Sequence, residues 1–203
     1  SETSATSSTL DYPASTGAQA LYELEGDATS TSSAAYNGTA TDVAWVPLYD
    51  GTPTSMTYAA PSVSAPFLKA GVFNGSSSYI DTNYTLPAIS TYSLSLWFKT
   101  SITGTRQYLF ADFNSSANTS SPRLTLAIAA NNNFEFYLGN GSSNWTDSSS
   151  ASALSYLDGN WHNLVLVING TSVKLYADGN TTPIADLTST VSAGTAGTSP
   201  LSI

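Results

Sequence analysis

The chain has 203 residues, enough for one β-sandwich with a core that needs no covalent staple, and the absence of cysteine excludes disulfides and thiolate metal sites. Only 9% of residues are charged, whereas 34 are serine and 27 threonine; 4 Trp and 12 Tyr supply too much apolar area for a disordered linker, so the chain folds with a hydroxyl-rich surface. A net charge of −9 without a basic cluster speaks against nucleic acid as a partner, and no apolar run reaches the 18 or so residues of a membrane span.

Residues 1–9 are all Ser, Thr, Ala or Glu, which reads as a flexible arm, and residues 10–203 read as one domain. Short β-like runs then alternate with Gly, Asn, Ser and Pro, and no 3.6-residue apolar period persists for three turns. The expectation is an all-β sandwich or jelly roll of antiparallel sheets. Pro47 to Pro66 reads as an excursion across one face or edge.

From Tyr92 to Lys99, period two puts Leu94, Leu96 and Phe98 on one face and Ser93, Ser95 and Trp97 on the other. Tyr108 to Ala111 is apolar on both faces, which predicts a strand buried between layers. Arg123 to Ala129 aligns Leu124, Leu126 and Ile128. Asn133 to Leu138 aligns Phe134, Phe136 and Leu138 and turns Glu135 and Tyr137 the other way, toward solvent or a groove. Leu164 to Ile168 is again apolar on both faces and is expected to be buried between layers. Asn169-Gly170 predicts a type I′ hairpin leading into Val173, Leu175 and Ala177, and Asp178-Gly179 repeats that turn chemistry.

His162 is the single histidine and no Gly-x-Ser-x-Gly elbow exists, so it reads as a packing or capping residue rather than as part of a catalytic triad. Glu23, Glu25 and Asp27 sit at alternate positions of one strand, where residues two apart are about 6.8 Å from each other, a spacing compatible with glycosidic carboxylates. The order Glu-x-Glu-x-Asp in a first strand nevertheless argues against catalysis. Calcium needs six to eight oxygens; Asp112 with Asn114, or Asp147 near Asn144, offers two ligands each, and the competing reading makes them Asx turns. Trp145, Asn144 and Asp147 are the candidate ligand-binding residues, with Trp145 the ring that would meet a ligand. Two readings stay open for it: a sugar-stacking platform, or a cap on the margin of the core. Trp45, Trp97 and Trp161 are assigned to the core or its margin. Nine Asn-x-Ser/Thr sequons, at Asn37, Asn74, Asn83, Asn114, Asn118, Asn140, Asn144, Asn169 and Asn180, become glycosylation sites only in a suitable secretory setting.

Three segments together resemble the laminin-G-like, concanavalin-A-like jelly roll. They are Ala70-Gly71-Val72-Phe73-Asn74-Gly75-Ser76-Ser77-Ser78-Tyr79-Ile80, the strand Tyr92 to Thr100, and Asp158-Gly159-Asn160-Trp161-His162 with the following Val173 to Gly179. Leu10-Asp11-Tyr12-Pro13, Ala20 to Asp27 and Tyr36-Asn37-Gly38-Thr39 are similar to a subgroup found in structural or tail-fibre proteins of marine bacteriophages. The family's acidic loop continues with a second Asp or Asn, whereas Asp27 to Ser33 has none, which weakens the case for calcium in that loop. Family members also carry one more strand beyond the position of Ile203.

The resemblance thus implies a concanavalin-A-like jelly-roll β-sandwich of two antiparallel sheets lacking its last strand, with the open edge filled by further chain or by a neighbouring subunit. The function it implies is a non-catalytic structural and adhesion module, extracellular or on a virion surface, in contact with surface glycans or structural-protein neighbours and assembled as a homo-oligomer or larger array. The alternatives are a purely structural decoration or filament subunit built by strand donation and, third, a glycoside hydrolase.

Overall fold

The computed structural model describes residues 19–20, 22, 26–30, 32–47, 69–112, 124–140, 144–194 and 200–203. The arm 1–9, Glu23, Glu25, Asn114 and most of the Pro47–Pro66 excursion lie outside these. The chain divides into two units, Ser1–Tyr84 and Thr85–Ile203. Among the described residues, no helix is long and apolar enough to cross a membrane.

In the first unit, Ser33 caps a 3₁₀ turn at Ala34–Tyr36 by accepting from the Ala35 amide. Strand β1 (Thr39–Thr41) pairs antiparallel with β4 (Tyr79–Thr85), Ala40 opposite Ile80. Strands β2 (Ala44–Pro47) and β3 (Lys69–Val72) form a separate hairpin-like ladder, Trp45 opposite Gly71. Ile80 is fully buried, the rings of Tyr36 and Tyr84 meet edge to face at 5.0 Å, and the Tyr22 hydroxyl bonds the carbonyls of Tyr36 and Thr82. In the Asn74-Gly75-Ser76-Ser77-Ser78 turn, the Asn74 side-chain oxygen accepts from the amides of Ser76, Ser77 and Ser78, so the amide of one residue orders the whole loop.

The second unit holds the sandwich. Its strands are β5 (Thr91–Lys99), β6 (Gln107–Ala111), β7 (Leu124–Ile128), β8 (Phe134–Gly139), β9 (Asn144–Asp147), β10 (Trp161–Asn169), β11 (Ser172–Ala177), β12 (Ala185–Thr188) and β13 (Pro200–Ser202). One sheet contains β13-β6-β7-β8-β9 and the other β12-β11-β10-β5, and the pairs are antiparallel. The period-two reading places the core correctly: Leu124, Leu126, Ile128, Phe134, Phe136 and Leu138 from one sheet, and Leu164, Leu166, Ile168 and Leu175 from the other, are at most 2% exposed. Burying each such side chain stabilises the fold by about 1.5–3 kcal/mol, so these rows outweigh any surface interaction. The Tyr156 ring ties the sheets at one end, 5.8 Å from Phe134 and 5.2 Å from His162.

Three expectations change. Leu164 to Ile168 is not buried on both faces, because Val165 and Val167 remain half-buried on the side away from the core. At the β10–β11 hairpin, Asn169 pairs with Ser172 and closes the strand; only Gly170 has positive φ (60°), so the two-residue loop is Gly170-Thr171 with its left-handed residue first, not the Asn169-Gly170 turn. Asp178 (φ 51°) and Gly179 (φ 70°) do take the expected pair of left-handed conformations. The third change, in Tyr108 to Ala111, builds the site described next.

Strand β13 pairs with β6, Ser202 opposite Ala111. Among the described residues, β5 and β12 are the two edge strands of their sheet. The core-facing Leu94 and Leu96 of β5 are only half-buried, while Leu164 and Leu166, directly opposite them on β10, are sealed.

Candidate functional site

A β-bulge in β6 shifts the register between Tyr108 and Phe110, with Leu109 as the extra residue. Without it the two aromatics would share a face. With it, Phe110 joins Leu126 and Phe136 in the core, while Tyr108 turns to the outer face opposite Ala127, which in turn lies opposite Glu135. Tyr108 is therefore 49% exposed rather than buried between layers.

The methyl group of Ala127 leaves room between the strands that carry Tyr108 and Glu135, about 9.6 Å apart across two strand spacings. The Arg106 guanidinium reaches Glu135, with Nη2 donating to Oε2 at 2.7 Å. Arg106 stays 44% exposed at its side chain while that of Glu135 is 2% exposed, so the carboxylate lies on the outer face as read but beneath a lid rather than in solvent. The hydrogen bond with Tyr108, together with the charge of Glu135, raises the Arg106 pKa against the opposing effect of desolvation. Tyr137, two residues along β8, hydrogen-bonds Glu135, and that bond, with burial and the carboxylate charge, raises its phenol pKa. Both donors are thereby kept protonated around one carboxylate.

The segment before β6 holds Arg106 in place. Gln107 Nε2 donates to the Ile102 carbonyl (3.0 Å), the Gly104 amide donates to Asn132 Oδ1 (2.7 Å), and the Gly159 amide donates to the Thr100 carbonyl (3.0 Å). The residues of the candidate surface thus come from β6, β7, β8 and a pinned loop.

The structure separates the residues singled out from the sequence. Asn144, Trp145 and Asp147 are on β9, but strand alternation divides them. Asn144 is exposed on the same face as Tyr137, whereas Trp145 is in register with Leu138 and Asp147 with Phe136, on the core-facing side, both half-buried. Asp147 accepts from the Ser149 and Ser150 amides and the Ser150 hydroxyl; these bonds outweigh desolvation, which opposes them, and lower its pKa. Asp112 is 3% exposed, and its Oδ1 accepts the Leu124 amide at 3.0 Å, closing the end of the β6–β7 ladder. Among the described residues, no three His, Asp or Glu side chains gather as a metal site would require. Asp27 is exposed and accepts the Thr29 amide, which lowers its pKa.

His162 is buried and held at both nitrogens, Nδ1 to Asp178 Oδ2 (2.9 Å) and Nε2 to Asp158 Oδ1 (3.0 Å), while Asp178 Oδ1 also accepts the Asn163 amide. It packs and caps, as read. Sequence reasoning missed the Arg106–Glu135 pair, whose partners are 29 residues apart. The available signal was a charged residue on the alternate face of an otherwise apolar strand.

Two antiparallel sheets closing on alternating apolar rows make the second unit a jelly-roll β-sandwich. The chain belongs to the concanavalin A-like lectin/glucanases superfamily, whose laminin-G-like model matches residues 74–203. No curated protein sequence matches it. Among solved structures, it is similar to domain 4 of AbnA, a GH43 extracellular arabinanase from Geobacillus stearothermophilus, in complex with arabinotriose: 18% identity over 91% of this chain and 81% of that one, TM-score 0.58. It is also similar to the binding domain of Botulinum neurotoxin DC in complex with rat synaptotagmin II, with 16% identity over 91% of this chain and 42% of that one, TM-score 0.55. At such identities the likeness establishes the fold alone.

Proposed function

We propose that the protein is a non-catalytic adhesion module that binds surface glycans, displayed outside the cell or on a virion. The observation that carries this reading is Tyr108, an exposed aromatic ring held beside a fixed Arg106–Glu135 pair: apolar area to stack on a sugar face, bordered by oriented donors for its hydroxyls. The similarity to a domain in complex with arabinotriose supports it.

Glycan-array screening followed by calorimetry tests the proposal. Tyr108→Ala is expected to weaken binding of any retained oligosaccharide by about 10-fold, from the 1–3 kcal/mol scale of a buried aromatic contact, with its unfolding temperature little changed. Unaltered affinity would remove this surface from consideration. Trp145→Ala decides between the two readings of that residue: lost binding at constant stability marks a platform, and lost stability marks a core cap.

A second reading, a structural subunit assembled by strand addition, is favoured by the half-exposed Leu94 and Leu96 on β5.

A further inference from the structure

Resting on the glycan-binding reading, we infer that the Arg106–Glu135–Tyr108 surface selects neutral glycans and rejects acidic ones, and that Glu135 is the specificity-determining residue. An exposed arginine beside a tyrosine would by itself suit a sugar carboxylate, because a guanidinium offers five donors in a planar fork. Here the charge is already answered. Glu135 Oε2 sits 2.7 Å from Nη2 and its side chain is 2% exposed, so the pair is a single neutral unit that presents only donor edges to a ligand.

The 2.7 Å bond engages the guanidinium, and burial of the Glu135 side chain keeps its carboxylate from turning toward a ligand. A sugar hydroxyl can accept from the remaining Arg106 donors without adding charge. A carboxylate or sulfate would have to compete with Glu135 for the guanidinium while lying close to a buried anion of its own sign, on a chain of net charge −9. The exposed Tyr108 ring supplies the stacking surface in either case, so discrimination falls to Glu135.

The test compares a neutral hexose oligosaccharide retained by the protein with its uronic-acid counterpart, identical but for the carboxylate at C6, by calorimetry at low and high salt. Wild type is expected to bind the neutral form at least about 10-fold more tightly. Glu135→Gln leaves Arg106 charged and unanswered; it is expected to bring the acidic form to equal or tighter binding, with the gain lost at high salt. Adding Arg106→Gln to that variant should abolish the gain. Equal or tighter binding of the acidic form by wild type overturns the inference, and so does an unchanged ratio in a Glu135→Gln protein shown by circular dichroism to be folded. Should Glu135→Gln not fold, the wild-type ratio and its salt dependence still decide. A protein that retains neither oligosaccharide class overturns the glycan reading, and this inference with it; one that binds both classes alike overturns the inference alone.

Discussion

An imidazole whose two nitrogens both face carboxylate oxygens can donate to both only when doubly protonated, and His162 is in that position between Asp178 and Asp158. Desolvation among the Phe98 and Tyr156 rings opposes the charge, but the bonds to the two carboxylates outweigh it and the His162 pKa rises above 6.5. Asp158 is pulled down to about 2, first by the side chain and amide of Asn160 and then by His162. A raised folded-state pKa gives a contribution that is complete below pH 6.5 and disappears as pH rises through the folded value; the lowered Asp158 gives one that is complete above 3.8 and disappears toward 2. Thermal unfolding followed from pH 5 to 9 should therefore show wild type losing stability on the alkaline side of 6.5, while His162→Gln stays flat there and lies below wild type at pH 5–6. Parallel pH profiles would overturn this account of His162. Thr125 makes the opposite case. Its Oγ1 is buried and, among the described residues, has no hydrogen-bond partner. Thr125→Val keeps the branched shape and removes the stranded hydroxyl, so it should raise stability by about 1 kcal/mol, or about 2–4 °C in Tm.

Close approach of backbones sets what the elements tolerate. A Cβ on Gly38 would collide with the Asp81 carbonyl oxygen and come within 3.1 Å of the Ala28 carbonyl and 3.2 Å of Thr82 Cα, all backbone atoms that cannot swing aside. Gly38→Ala should destabilise the β1–β4 pair by roughly 1–3 kcal/mol, read as a lowered Tm and faster proteolysis of the first unit; an unchanged Tm would show that the backbone there gives way. The glycine is plain in the sequence, but its crowding is not, because Asp81 is brought to it only by strand pairing. The same limit governs the site. Alternation in Tyr92 to Lys99 and Asn133 to Leu138 was sufficient to place Leu94, Phe98, Phe134 and Phe136, since period two is a local property. The bulge at Leu109 is one surplus residue in a run that is apolar throughout, so nothing local marks where the register slips, and the outward turn of Tyr108 stayed hidden. Glu135 could be put on the correct face, but its burial depends on Arg106, which arrives from the loop before β6. Asn169 misled for a related reason: Gly170 alone satisfies the turn once Asn169 is used to complete the β10–β11 ladder.

At the scale of the whole molecule, a surface of hydroxyls with 9% charged residues has little to repel association except its net charge of −9, which salt screens beyond about 8–10 Å. Among the described residues, the nine-residue β5 is the longer of the two edge strands of its sheet, and it is the place where assembly through strand addition can be judged. Edge strands are ordinarily blunted by proline, bulges or inward-pointing charge, and β5 has none of these over nine residues; its single charge, Lys99, is at the end. A second copy paired antiparallel about Ser95 would set Leu94 against the partner's Leu96 and Tyr92 against the partner's Phe98. Half-buried apolar groups would then meet on the core side, and no like charges would face each other. Ser95→Lys would put two ammonium groups opposite each other at the centre of that register while leaving the core-facing row intact. Light scattering across a concentration series should accordingly show a wild-type dimer that Ser95→Lys returns to monomer at unchanged Tm. A wild type that stays monomeric into the millimolar range, or a Ser95→Lys protein that still dimerises, would leave β5 as an unused edge and return the weight to the glycan surface across the sandwich's other sheet.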